Sequence, residues 1–148
     1  MLSTYEETDT FEALFACLDE TLSMLESLAD CLRDVRYHVT YFEVAELMQT
    51  LEQKNELLAD YAEHGKFQRQ VIYRCWQARF DDRELPEDAI RALVELSQSL
   101  EGPAATRLAD RASELSALRE AVGELHLMNK SLLDRAVSWI SSYVAELV

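Results

Sequence analysis

Residues 11–42 read FEALFACLDETLSMLESLADCLRDVRYHVTYF, and their spacing decides the fold class. Set in heptads, position a holds Phe11, Leu18, Leu25, Leu32 and Val39, and position d holds Leu14, Thr21, Leu28, Val35 and Phe42. Only Thr21 breaks the apolar pattern. A repeat of this kind places one stripe of side chains along a helix and winds it against partner helices. Asp9 or Thr10 is the expected N-cap, with Glu12 just inside the positive helix end, so a first helix is predicted over residues 10–37.

Outward from this stretch the signals stay helical. Thr40-Tyr41-Phe42-Glu43 has the form of a capping box, in which hydroxyl and carboxylate satisfy free N–H groups at a helix start. A second helix is expected over 41–80, burying Val44, Leu47, Leu51, Leu58 and Tyr61, then Ile72, Cys75 or Trp76, and Phe80. Gly65 inside it signals a close helix contact or a local break. Pro86 suits the first turn of a short helix over 86–99, with Ile90, Leu93, Val94 and Leu96 or Leu100 facing in. Gly102-Pro103 is a stop, and a last helix is expected over 104–147 with its seam through Leu108, Ala112, Leu115, Leu118, Val122 and Leu125. The seam continues through Asn129, Leu132, Ala136, Trp139 and Tyr143. With 3 Gly and 2 Pro in 148 residues, the chain lacks the punctuation of a many-stranded fold. The expectation is all-α: a single domain over 1–148, an elongated antiparallel helical bundle or coiled coil of three long helices and one short one.

Charge narrows the partners. Acids outnumber bases 28 to 14, giving a net charge of −14, whereas a nucleic-acid binder neutralises phosphates with Lys and Arg. Residues 1–63 carry −12, residues 64–83 carry +3 and residues 84–148 carry −5. The basic island of Lys66, Arg69, Arg74 and Arg79 is read as an internal complement to the acidic first helix, or else as a docking patch. No signal peptide and no run of 18 apolar residues is expected, which points to a cytoplasmic chain without membrane insertion. Cys17 and Cys31 lie about 21 Å apart on one helix, beyond disulfide reach. Cys17, Cys31 and Cys75 are therefore expected as free thiols.

The motifs of chemistry are absent from the sequence. Val35, Tyr61 and Gly123 stand three residues before His38, His64 and His126, so there is no Glu-x-x-His pair for a di-iron site. No zinc spacing, phosphate loop or nucleophile elbow occurs. The chain is read as a non-enzyme with no catalytic residue, cofactor or metal.

The last helix carries more apolar surface than one core requires. With Asn129 at zero on a helical wheel, Leu132, Ala136, Trp139 and Tyr143 cover about 280–340°, and Leu133, Val137, Ile140, Val144 and Leu147 cover about 0–80°. The resulting arc of roughly 160° exceeds the stripe of about 100° that faces a single core. Either two neighbouring helices cover it, or the second stripe receives a partner helix. Asn129 on the seam either fixes register or presents its amide to a partner.

Residues 125–133, LHLMNKSLL, followed by this amphipathic tail, resemble the C-terminal helix of FlgN-type flagellar export chaperones, which typically reads N-x-x-N-G-x-L-L. Asn129, Leu132 and Leu133 match the second Asn and the Leu pair; His126 stands at the first Asn and Lys130 at the Gly. Val44–Leu58, with Leu47, Leu51, Lys54 and Leu57-Leu58, is similar to the family's second-helix pattern. The resemblance implies a cytoplasmic type III export chaperone that binds hook–filament junction proteins through residues 129–148 and delivers them to the export gate or ATPase complex. The partner-binding residues it implies are Asn129, Leu132, Leu133, Val137, Ile140, Tyr143, Val144 and Leu147, with Tyr143 as the export-gate contact. Without a client the tail would fold back or dimerise. The alternative is a non-enzymatic adaptor or an obligate homodimer with no export role.

Overall fold

The computed structural model describes residues 4–148, which form α1 (Thr4–Thr40), α2 (Val44–Arg79), α3 (Ala89–Ser99) and α4 (Gly102–Leu147). No strand occurs among the described residues, as the all-α expectation requires. Helix α1 starts six residues earlier than its capping signal suggested. Thr10 lies inside it, and its hydroxyl donates to the Glu6 carbonyl 2.7 Å away instead of capping.

The heptad residues of α1 are buried, Phe42 excepted, and so are Phe15, Cys17, Leu22, Ala29 and Cys31 on the flanks of the stripe. The buried face is this wide because α1 is covered from two sides. Helix α2 runs antiparallel to it, as the pairings Thr10–Cys75, Thr21–His64 and Cys31–Thr50 show. Helix α4 runs parallel to it, with Glu12 opposite Arg107, Asp19 opposite Arg111, and Leu32 opposite Asn129. The guanidinium of Arg107 also lies 4.0 Å from the centre of the Phe15 ring.

The corner after α1 is not a capping box. The Thr40 hydroxyl donates back to the Arg36 carbonyl, and Glu43, the residue before α2, makes no side-chain cap bond. Instead Phe42 adopts φ 55°, Glu43 N–H reaches the His38 carbonyl at 2.9 Å, and Phe42 N–H reaches the Val39 carbonyl at 3.3 Å. These two bonds form a Schellman ending, with an aromatic residue in the left-handed position that glycine usually takes. This is how the helix stops without Gly or Pro.

The second connection also departs from expectation. Residues 80–88 climb back along α2, fixed by Trp76 Nε1–H donating to the Arg83 carbonyl at 2.9 Å and by Arg83 lying 4.6 Å from the Phe80 ring centre. Pro86 therefore sits in this ascending segment, and α3 begins at Ala89 with Asp88 as its N-cap, accepting from Ile90 N–H at 3.1 Å. Gly102 takes φ 70° and Pro103 opens the first turn of α4, so the pair starts a helix as well as stopping one. Gly65 neither breaks α2 nor meets a neighbour: the helix runs through it, and a Cβ there would touch nothing within 4 Å.

Helix α3 descends between α2 and α4, antiparallel to α4, with Ala92, Leu93 and Leu96 fully inside. At this closed end the four helices occupy the four corners of a ring, in which the backbones of α2 and α4 lie diagonally apart. Trp76, Ile72, Leu14, Leu18, Leu108 and Leu115 fill its core. Helix α3 has only 11 residues, about 16 Å. Beyond its N-terminus the corner opposite α1 is uncovered, and Val44 and Leu58 of α2, expected in the core, are exposed. Val94 of α3 is likewise exposed, while Cys75 and Trp76 are both buried.

The one polar heptad position has a partner. Thr21 Oγ1 lies 2.8 Å from His64 Nε2 and 2.5 Å from Gln68 Oε1, and its hydroxyl also reaches the Cys17 carbonyl at 2.9 Å. Glu20 Oε2 lies 3.8 Å from His64 Nδ1. Leaving one member of a buried pair unsatisfied costs about 1–3 kcal/mol, whereas removing both is near neutral. Thr21→Val is therefore expected to lower the melting temperature by several degrees, and adding His64→Leu to recover most of the loss, read by thermal circular dichroism. Equal and additive losses would show that the two side chains are not coupled.

The three cysteines are free and buried. Desolvation pushes the thiol pKa of Cys17 from 9.0 up to about 11 and that of Cys75 up to about 12, with Glu20 and Cys17 respectively adding to the effect. The folded chain thus holds these protons more tightly than the unfolded chain. The stabilisation is complete below pH 9 and lost as pH rises through about 11 and 12. Melting temperature should fall between pH 9 and 11, and less steeply in a Cys17→Ala, Cys75→Ala variant; equal slopes would remove the thiols as the cause.

Candidate functional site

Helix α4 is longer than its supports. The Trp139 ring lies 6.1 Å from Phe42, which marks the corner where α1 ends. The helix continues unbroken to Leu147, about 12 Å past that level. Every residue from Val137 to Val148 is exposed.

The residues expected to bind a partner therefore divide into two groups. Asn129 is buried against α1, and Leu132 and Leu133 are half-buried beside it. Val137 (61% exposed), Ile140 (48%), Tyr143 (53%), Val144 (50%) and Leu147 (70%) form an open apolar surface. Two neighbouring helices do not cover the wide arc at this level. The core seam also ends sooner than the sequence suggested, because Trp139 and Tyr143 are 60% and 53% exposed. Their rings stack on one another, 5.7 Å apart and 8° from parallel, and continue the aromatic edge begun by Phe42.

Asn129 is the anchor of this tail. Its Nδ2 donates to the Leu32 carbonyl at 2.7 Å, across the α1–α4 interface, while Oδ1 is buried without a hydrogen-bond partner. The amide thus fixes the register of α4 on α1 and is not part of the open surface.

Some exposed apolar residues fell outside the expected site. Leu127 and Met128 lie at about 160° and 260° on the wheel, outside the arc that drew attention to the tail, and are exposed at the same end as Met48 and Val44 of α2. An isolated apolar residue on a polar face carries no periodic signal. The basic island is only partly internal: Arg79 donates to Glu7 of α1 at 2.8 Å, whereas Lys66 pairs with Glu63 of its own helix. Among the described residues, no helix is long and apolar enough to cross a membrane, and no group of His, Cys, Asp and Glu is placed to hold a metal ion.

An orphaned buried acceptor costs about 1–3 kcal/mol. Asn129→Leu should therefore raise the melting temperature by about 3 °C while loosening register, seen as a broader transition. A lower melting temperature would mean that the bond to the Leu32 carbonyl outweighs the orphaned oxygen. Comparison with protein-family models, with curated proteins and with solved structures finds no match to this chain.

Proposed function

We propose that this chain is a cytoplasmic export chaperone of the FlgN type, a helical bundle whose last helix holds an amphipathic helix of a client. The observation that carries the reading is the exposed apolar surface of Val137, Ile140, Val144 and Leu147 on a helix that outruns its own bundle. Its support in sequence is the resemblance of residues 125–133 to the family's C-terminal helix. The clients are hook–filament junction proteins, delivered to the export gate or the ATPase complex, and Tyr143, with its exposed ring, is the gate contact.

Burial of each of these half-exposed side chains against a client helix contributes about 1–2 kcal/mol before association and ordering costs. The surface is already helical, so docking spends less ordering entropy on this chain than a disordered tail would. The same stripe would serve a second copy of the chain in an adaptor or obligate homodimer.

Ile140→Asp with Val144→Asp separates these readings. Helicity and melting temperature should stay at the wild-type level, because both side chains are about half exposed, while co-purification with hook–filament junction proteins is lost. If the double variant unfolds, the stripe belongs to the core. If wild-type protein retains no junction protein and sediments as a dimer that the double variant abolishes, the adaptor reading replaces the chaperone.

A further inference from the structure

The uncovered corner of the ring is a groove of about 400 Å³. Its floor is Leu25, Leu28 and Leu32 of α1, and Leu58 and Tyr61 of α2 face Val122 and Gly123 of α4 across it. The groove is continuous with the slot that α3 fills. Tyr61 and Arg119 line both the groove and the cleft at the start of α3, and Arg119 reaches Asp88, the α3 N-cap, at 3.8 Å. A helix already lies between α2 and α4 along this line, and beyond it the two backbones stay apart with no element of the chain between them.

The charge in the groove opposes that of the chain. Net charge is −14, yet the ionisable residues that line the groove are Lys54, Arg119 and His126, with no carboxylate among its lining residues. Lys54 has no carboxylate partner among the described residues, and its half-buried stem lies over the leucine floor. Lys54 and Arg119, the latter shared with Asp88 at its rim, flank an apolar trough on a chain of net negative charge, and suit an occupant with carboxylates beside an apolar stripe.

We infer that this groove is a second helix-binding site, which takes a short amphipathic helix with acidic residues flanking its apolar face, seated end-to-end with α3 and paired to Lys54 and Arg119. It lies in the bundle rather than on the tail of α4, and does not depend on the function proposed for that tail. Gly123 leaves the wall open at the centre of the groove: a Cβ there would meet nothing within 4 Å. A larger side chain at this position would occupy the docking space without displacing the core, and would favour the helix it stands in.

The probe is a stapled 14-residue helix with Leu at heptad positions a and d and Glu at the flanking positions, labelled with fluorescein, beside a counterpart with Lys in place of Glu. Binding to the full chain is measured by fluorescence anisotropy. The acidic helix should bind saturably and about tenfold or more tighter than the basic one, with affinity falling as salt rises. Gly123→Phe should weaken it about tenfold or more at unchanged helicity, Lys54→Glu with Arg119→Glu should reverse the preference, and Ile140→Asp with Val144→Asp should leave it unchanged. Equal binding of the two helices, wild-type binding by Gly123→Phe, or loss of binding in the tail variant would each overturn the inference. So would a wild-type dimer that Gly123→Phe converts to monomer, which would make a second copy the occupant.

Discussion

Everything in this molecule is arranged around the need to cover α1. Its buried face spans heptad positions a and d and their flanks, from Phe11 to Val39. One partner helix would leave half of that face in water, so α2 and α4 pack on opposite sides of it and stand apart from each other. Two helices held diagonally across a third create a fourth corner. Helix α3 fills that corner over about 16 Å, and the chain supplies nothing for the remainder. The closed core around Trp76 and the open groove over Leu28 are thus two ends of one arrangement, separated by the length of a single short helix.

Polar residues on the seam set the register of this packing. A uniform stripe of leucine would allow α2 and α4 to slide on α1 by a heptad at little cost. Thr21 binding His64 and Gln68 fixes α2, and Asn129 binding the Leu32 carbonyl fixes α4. The two pins lie at different heights along α1 and act on different partners. Slippage of either helix would strand a buried polar group, a penalty comparable to a sizeable fraction of a domain's net stability.

What the sequence made legible follows the same division. The periodicity of residues 11–42 identified the a and d positions of the buried stripe from Phe11 to Val39, though not exposed Phe42 or the buried flanks such as Phe15 and Cys31. The same reading failed for Val44, Leu58, Trp139 and Tyr143, which continue an apolar pattern past the point where a neighbour exists to cover it. Periodicity reports which face of a helix is apolar; it does not report how far the partner extends. The ends were misread for a related reason. Thr40 and Glu43 have the spacing of a capping box, but the backbone closes the corner through Phe42 in a left-handed conformation that no local pattern of aromatic residues signals. The breadth of the tail's apolar arc was visible in sequence, and the groove was not, since its walls come from residues about 65 positions apart in the chain.

Most helical stability in proteins comes from tertiary packing, and past Ala136 this end of α4 has little beyond the contact of Trp139 with Phe42. Its order comes from continuity: the turn anchored by Asn129 and the half-buried Leu132, Leu133 and Ala136 nucleates the helix, and each further residue only propagates it. The Trp139–Tyr143 stack adds an i, i+4 contact along the way. With propagation near unit equilibrium constant, each turn past Ala136 adds little stability of its own, and a surface covering Val137, Ile140 and Val144 would add more. Aligned by the buried amide of Asn129, this end of the helix presents Val137, Ile140 and Val144 as one apolar stripe to whatever surface covers it.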